Sequence, residues 1–213
     1  MNKFYTAIGL GFISFQAYAH QLEVSVEALD GTYVGESTYY YDTEYSDLPG
    51  FYHEENSLEH GIHVKYIHEL EDWDIFAKYG LGTSELRNSR TSEAGARYRL
   101  DEKHWFSARI KGQYAKEEYE IDDKVIDPEH QNTITNGEWA EWVILSYRYN
   151  MPNVLSFPMY IEAEGVVADN DPELMQDKLS IAVGFSHGKY FGELKAGEDL
   201  IGLSIGMQFD LSD

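Results

Sequence analysis

From residue 200 the chain alternates without a break. Ile201, Leu203, Ile205, Met207, Phe209 and Leu211 are apolar, while Gly202, Ser204, Gly206, Gln208 and Asp210 between them are small or polar. A period of two puts the apolar side chains on one face of a β-strand and the others on the opposite face. Leu179, Ile181, Val183 and Phe185 repeat the pattern, as do Leu155, Phe157, Met159, Ile161 and Ala163. So do Phe106, Ala108, Ile110, Gly112 and Tyr114, and, nearer the start, Leu22, Val24, Val26 and Ala28. With weaker runs between them, the pattern predicts ten strands, at 21–30, 57–68, 73–83, 93–100, 104–117, 138–150, 154–167, 178–187, 189–197 and 200–211. Eight or twelve strands also fit, because 93–100 and 189–197 are short and weakly patterned. No segment carries a convincing 3.6-residue period, so the expected fold class is all-β.

The spacing between strands adds a second signal. Connections at 31–56, 84–92, 118–137 and 168–177 are long, whereas those at 69–72, 101–103, 151–153 and His187-Gly188 are short. Only 197–199 breaks the alternation, being short where a long connection is due. Long loops at one end and tight turns at the other, with both chain ends on the tight side, predict a single antiparallel transmembrane β-barrel.

The first 19 residues differ from the rest. Lys3 supplies a positive start, Ala7 to Phe15 form an apolar run, and Ala17-Tyr18-Ala19 offers the small-x-small pattern of a cleavage site. The run is too short to cross about 30 Å of hydrocarbon. Residues 1–19 are therefore expected to be a signal peptide, and residues 20–213 the barrel.

Composition changes the picture in three ways. The 213 residues include 38 Asp and Glu against 16 Lys and Arg, a formal charge of -22, which excludes nucleic acid as a partner. The absence of Cys removes disulfides, thiolate zinc sites and cysteine nucleophiles together. A mean hydropathy of -0.47 reads at first as a soluble chain. At period two it is the average of a lipid-facing side and a wet one. A soluble sandwich or lipocalin-like barrel alternates too, but its second face meets bulk water. Here that face is often Gly, Ser, Ala or mixed charge, which suits a confined polar interior. Trp73, Tyr79, Tyr98, Phe106, Tyr114, Tyr147, Tyr149 and Phe209 lie on the apolar face near strand ends, where interfacial aromatic girdles form.

The signal ending in Ala17-Tyr18-Ala19 and the terminal strand from Ile201 to Phe209 resemble those of the Gram-negative outer-membrane β-barrel, porin-like class. The resemblance assigns no subfamily. It implies an outer-membrane location, contact with outer-membrane lipid and lipopolysaccharide, and insertion by the barrel-assembly machinery. In that class the last strand normally ends in an aromatic residue that the machinery reads. Here Asp210, Leu211, Ser212 and Asp213 follow Phe209.

Projecting the inward faces gives the candidate site. Lys65, Lys78, Arg97, Arg99, Arg109 and Lys111 form a basic wall, with His63 and Asp74 among them. Glu23, Glu27, Glu162, Glu164 and Glu193, with Lys195, form an acidic wall opposite. Arg148 joins them if the even positions of 138–150 face inward, a phase that Trp142 and Ile144 leave open. One reading is a transverse field across a water-filled lumen that selects small polar solutes. The other is a closed interior in which the charges pair, since about eight strands enclose only side chains and sixteen or more enclose a channel.

The long connections are acidic and rich in tyrosine. The first holds Glu36, Asp42, Glu44, Asp47, Glu54 and Glu55 with Tyr33, Tyr39, Tyr40, Tyr41, Tyr45 and Tyr52. The third sets Glu118, Glu120, Asp122, Asp123, Asp127 and Glu129 against Lys124. Such loops suit solvation, divalent cations bridging to lipopolysaccharide, or adhesion. Asp169, Asp171, Glu173 and Asp177 offer oxygen ligands at short spacing but lack the twelve-residue loop with its central Gly, so they are weak metal candidates. No cofactor is expected. Catalysis has the least support: Ser186 and His187 are adjacent in a strand and point to opposite faces, and so do His60 and His63. The leading expectation is a small porin-like channel, followed by a closed barrel acting in adhesion or envelope structure, and then a lipid-modifying enzyme.

Overall fold

The computed structural model describes residues 20–37, 51–84, 87–120, 133–154, 157–170, 178–198 and 200–211. Their side chains are described over 20–30, 58–84, 88–115, 139–151, 157–170, 178–198 and 200–211. The expected signal peptide lies outside these residues.

The strands are β1 (His20–Ser37), β2 (Phe51–Glu69), β3 (Trp73–Thr83), β4 (Arg87–Arg99) and β5 (His104–Glu120), followed by β6 (Thr133–Val154), β7 (Phe157–Asp169), β8 (Leu179–His187), β9 (Tyr190–Gly197) and β10 (Leu200–Asp210). Each pairs antiparallel with its sequence neighbours, and β10 closes on β1 with Val26 opposite Ile205 and Ala28 opposite Leu203. The sheet is a closed barrel of ten strands, as the alternation predicts.

Closure assigns each face. Val26, Ile62, Ile110, Ile181 and Ile205 point outward and are 53–59% exposed. In water so continuous an apolar surface is a liability; around a closed barrel it is a lipid-facing band. Near the short turns the band ends in aromatic pairs, Trp73 with Tyr98 at 4.8 Å between ring centroids and Phe106 with Tyr147 at 5.2 Å. At the turn between β4 and β5, Asp101 accepts the backbone N–H groups of Lys103 and His104. These two bonds, Lys103's first, hold its carboxyl below the usual carboxylate range. Placing arginine at Ile110 is expected to cost about 2–4 kcal/mol, because the charge meets hydrocarbon rather than the lumen. Urea unfolding of the barrel in lipid vesicles measures it.

Several boundaries differ from expectation, for one reason. β1 and β2 stay paired up to Ser37 opposite Phe51, so Tyr33, Glu36, Tyr52, Glu54 and Glu55 are strand residues rather than loop residues. β5 and β6 pair up to Glu120 opposite Thr133, which moves Glu118 and Glu120 into β5. The sequence carries no regular alternation along these extensions, so nothing in it marks them as strand. The expected long connection at 84–92 shrinks to 84–86, since β4 starts at Arg87 in a stretch that is polar on both faces. Residues 151–153, expected as a turn, belong to β6. Asp42, Glu44, Asp47, Tyr39, Tyr40, Tyr41, Tyr45, Asp122, Asp123, Lys124, Asp127 and Glu129 lie outside the described residues.

Candidate functional site: the charged interior

The inward face of each strand follows from its outward one. β6 resolves the open phase: Ala140, Trp142 and Ile144 are buried inside, packed with Val166, so the even positions face the lumen and Arg148 with them. The interior is otherwise largely ionic.

Near the turn end, Asp74 is 1% exposed and sits between two guanidinium groups. Arg97 reaches its Oδ2 from Nη2 at 2.5 Å and from Nε at 2.7 Å, and Arg99 holds Oδ1 while also donating to the Leu70 carbonyl. Arg148 holds Glu162 at 2.5 Å, and Ser146 donates to the other Glu162 oxygen at 2.5 Å. Lys65 pairs with Glu23 at 3.2 Å and His63 with Glu27 at 2.6 Å. Tyr160 donates to Glu193 at 2.5 Å.

Arg109 ties distant strands together. Its Nη2 reaches Glu164 of β7 at 2.6 Å, and its Nε lies 3.3 Å from Glu93 of β4. Lys195 of β9 takes the second Glu164 oxygen. Aromatic rings support the remaining cationic faces: the Arg148 guanidinium lies 3.7 Å from the Tyr160 ring centroid, Arg97 4.4 Å from that of Trp105, and the Lys111 ammonium 5.2 Å from that of Trp142.

Acid and base are interleaved along the inner surface. One lateral row runs Glu23, Lys65, Lys78, Glu93, Lys111 and Trp142 across six adjacent strands. Between these groups lies a cavity of about 670 Å³ reaching from Leu29 and Glu59 at the long-loop end to Glu102 and Asn150 at the turn end. The structure places Lys65, Lys78, Arg97, Arg109 and Lys111 on its lining, together with Glu23, Glu27, Glu162, Glu164 and Glu193. Arg99 lies beside it, on Asp74.

Glycines set how closely opposite side chains approach. A Cβ at Gly82 of β3 would overlap the Glu59 carboxylate and come 2.5 Å from Ser89 Oγ, so its absence lets Ser89 donate to Glu59 at 2.5 Å across the intervening strand. Gly184 of β8 opens the same kind of window for the Tyr160 ring on its way to Glu193. Gly82→Ala is expected to break the Glu59–Ser89 bond and lower stability by about 1 kcal/mol, since a half-buried carboxylate then loses its donor. Urea unfolding in lipid, compared with the wild type and with Ser89→Ala, checks it.

Sequence reasoning missed Glu93 and Trp105. Glu93 stands at the start of the predicted strand, and counting back by twos from Arg99 and Arg97 puts it on the inner face. Trp105 stands next to Phe106 in an aromatic pair whose phase only the inward Arg109 and Lys111 decide. Asp169 ends β7 at the exposed surface, while Asp171, Glu173 and Asp177 lie outside the described residues. Among the described residues no three His, Cys, Asp or Glu side chains gather into a metal-binding group. His60 is exposed outside and His63 buried inside, and His187 is exposed while Ser186 is half-buried, so neither pairing forms.

No protein-family model matches the chain, and no curated protein does. Among solved structures, it is similar to the translocator domain of the autotransporter NalP from Neisseria meningitidis, at 11% identity and a TM-score of 0.47, covering 96% of this chain and 92% of that one. It is similar also to Ail, the attachment invasion locus protein of Yersinia pestis, at 13% identity and a TM-score of 0.37 over 89% of this chain and 98% of that one. The KdgM porin, in complex with disordered oligogalacturonate, shows 10% identity and a TM-score of 0.41 over 90% and 99%. On its own geometry, the chain is a closed, all-antiparallel β-barrel with an apolar outside and a charged inside, the architecture of a transmembrane barrel.

Proposed function

We propose that the protein is a narrow outer-membrane channel that passes small polar solutes or ions through its charge-lined interior. One observation carries this reading: a cavity of about 670 Å³, lined by charged side chains of both signs and by apolar ones, reaches from Leu29 and Glu59 to Glu102 and Asn150. Two buried polar atoms, His63 Nδ1 and Trp105 Nε1, have no hydrogen-bond partner among the described residues. The interleaved charges keep the net field low, so both cations and anions find counter-charges along the path. On this reading Lys65, Lys78, Arg97, Arg99, Arg109 and Lys111, with Glu23, Glu27, Glu162, Glu164 and Glu193, tune passage rather than catalyse.

The barrel would sit in a Gram-negative outer membrane after cleavage near Ala19, with lipid and lipopolysaccharide around it, the assembly machinery inserting it and divalent cations bridging its acidic outer segments. A second reading, a closed barrel acting in adhesion or envelope structure, draws on the β1–β2 and β5–β6 ladders, which run on to Ser37 opposite Phe51 and Glu120 opposite Thr133.

Planar-bilayer recording of the refolded protein separates the two. The channel reading expects small unitary steps, and reversal potentials in a salt gradient that move toward cation preference in Lys78→Glu and Lys111→Glu. A silent bilayer, for the wild type and for a Trp142→Ala variant shown to be folded, would leave the closed-barrel reading.

A further inference from the structure

On the outer face of the barrel, at its turn end, two imidazoles and a phenol converge. His20 opens β1 and stands directly opposite His68 of β2, with Tyr66 two residues away on the same face. His20 Nδ1 lies 3.0 Å from His68 Nδ1 and 2.5 Å from Tyr66 Oη. The two imidazole rings stack with their planes 27° apart and their centroids at 4.7 Å, and the two Nδ1 atoms are their near point at 3.0 Å. Three electron-pair donors therefore crowd one point. A single imidazole nitrogen offers either one proton or one lone pair, so His20 Nδ1 cannot make two full hydrogen bonds of the same kind there. A cation between the rings would engage both lone pairs at once.

The spacing has a preferred geometry. With metal–nitrogen bonds of about 2.0–2.1 Å, two nitrogens 3.0 Å apart subtend about 94° at the metal. That is closer to the right angle of a tetragonal site than to a tetrahedral one, and tetragonal nitrogen sites suit Cu(II) or Ni(II). Among divalent ions, the general affinity order favours copper. On the cleavage after Ala19 proposed above, His20 becomes the first residue, and a terminal histidine supplies a third nitrogen by closing a six-membered chelate through its α-amino group and its own Nδ1.

We propose that the processed chain carries a Cu(II) site at the turn end of the barrel, built from the α-amino group and Nδ1 of His20 and from Nδ1 of His68, with Tyr66 beside the metal. The site lies outside the lumen and does not depend on channel activity. The same cleavage that releases the barrel completes its ligand set.

The test uses the full barrel beginning at His20, refolded in detergent, with Cu(II) as the probe and electron paramagnetic resonance as the readout. The expected result is one equivalent of tightly bound copper with an axial spectrum and nitrogen hyperfine splitting. His68→Ala should lose the stoichiometric signal, and a chain that keeps Ala19 ahead of His20 should bind more weakly with a changed spectrum. His104→Ala, a histidine at the same end, should change neither. Heat-modifiable mobility on gels shows that each variant is folded. No stoichiometric copper in the His20-initiated barrel would overturn the proposal, as would a spectrum identical in His68→Ala and in the Ala19-extended chain.

Discussion

Asp74→Ala is expected to destabilise the barrel by about 3–5 kcal/mol, the range for removing one partner of a buried ion pair. The carboxylate is 1% exposed and takes bonds from both Arg97 and Arg99, so its loss leaves two guanidinium groups facing one another. Neither can shed its proton, and the Trp105 ring offers Arg97 only a partial substitute. Asp74→Asn should cost less, because the amide oxygen still accepts from one arginine. The further variant Asp74→Ala with Arg97→Met and Arg99→Leu should recover much of the loss, since it removes the uncompensated charge along with its partner. Urea unfolding in lipid vesicles, followed by tryptophan fluorescence, ranks the three. Equal stability of Asp74→Ala and the wild type would mean that water already neutralises this end of the lumen.

Trp142→Ala is expected to act on stability and on the pore together. The indole packs inside β6 with Ala140, Ile144 and Val166, and Lys111 lies over its ring. Truncating a buried tryptophan costs about 3–5 kcal/mol when an apolar cavity is left behind. Here the vacated space joins the cavity inside the barrel, so on the channel reading water fills part of it and the cost should fall at the low end. The same space widens the path, and the unitary conductance should rise above that of the wild type. Loss of stability with unchanged conductance would place the conducting path away from β6.

The contrast between what the sequence announces and what it conceals has a physical origin. Where one strand face meets lipid and the other meets the lumen, as in Leu200–Asp210, the alternation is complete and the strand is plain. Where polar residues fall on both faces, as at residues 87–92 of β4, no period marks the strand and it runs further than expected. Where both faces are apolar, as at Trp142, Val143, Ile144 and Leu145, the strand is visible but its phase is not. The inward charges follow from parity alone. Their partners do not: Arg109 finds Glu164 across an intervening strand, and Lys195 finds the same carboxylate from the other side, contacts set by barrel curvature and register. The glycine windows at Gly82 and Gly184 are likewise invisible without the neighbours that pass through them.

Along the described strands, alternate residues face lipid on one side and the barrel interior on the other. Since the chain has no cysteine, single cysteines along β10 report it directly. In vesicles, a bimane label at Ile201, Leu203 or Ile205 should be quenched by brominated lipid and protected from a water-soluble quencher. The same label at Ser204 or Gln208 should show the reverse. Quenching by brominated lipid that does not alternate between these two sets of positions would contradict the barrel's placement in the membrane.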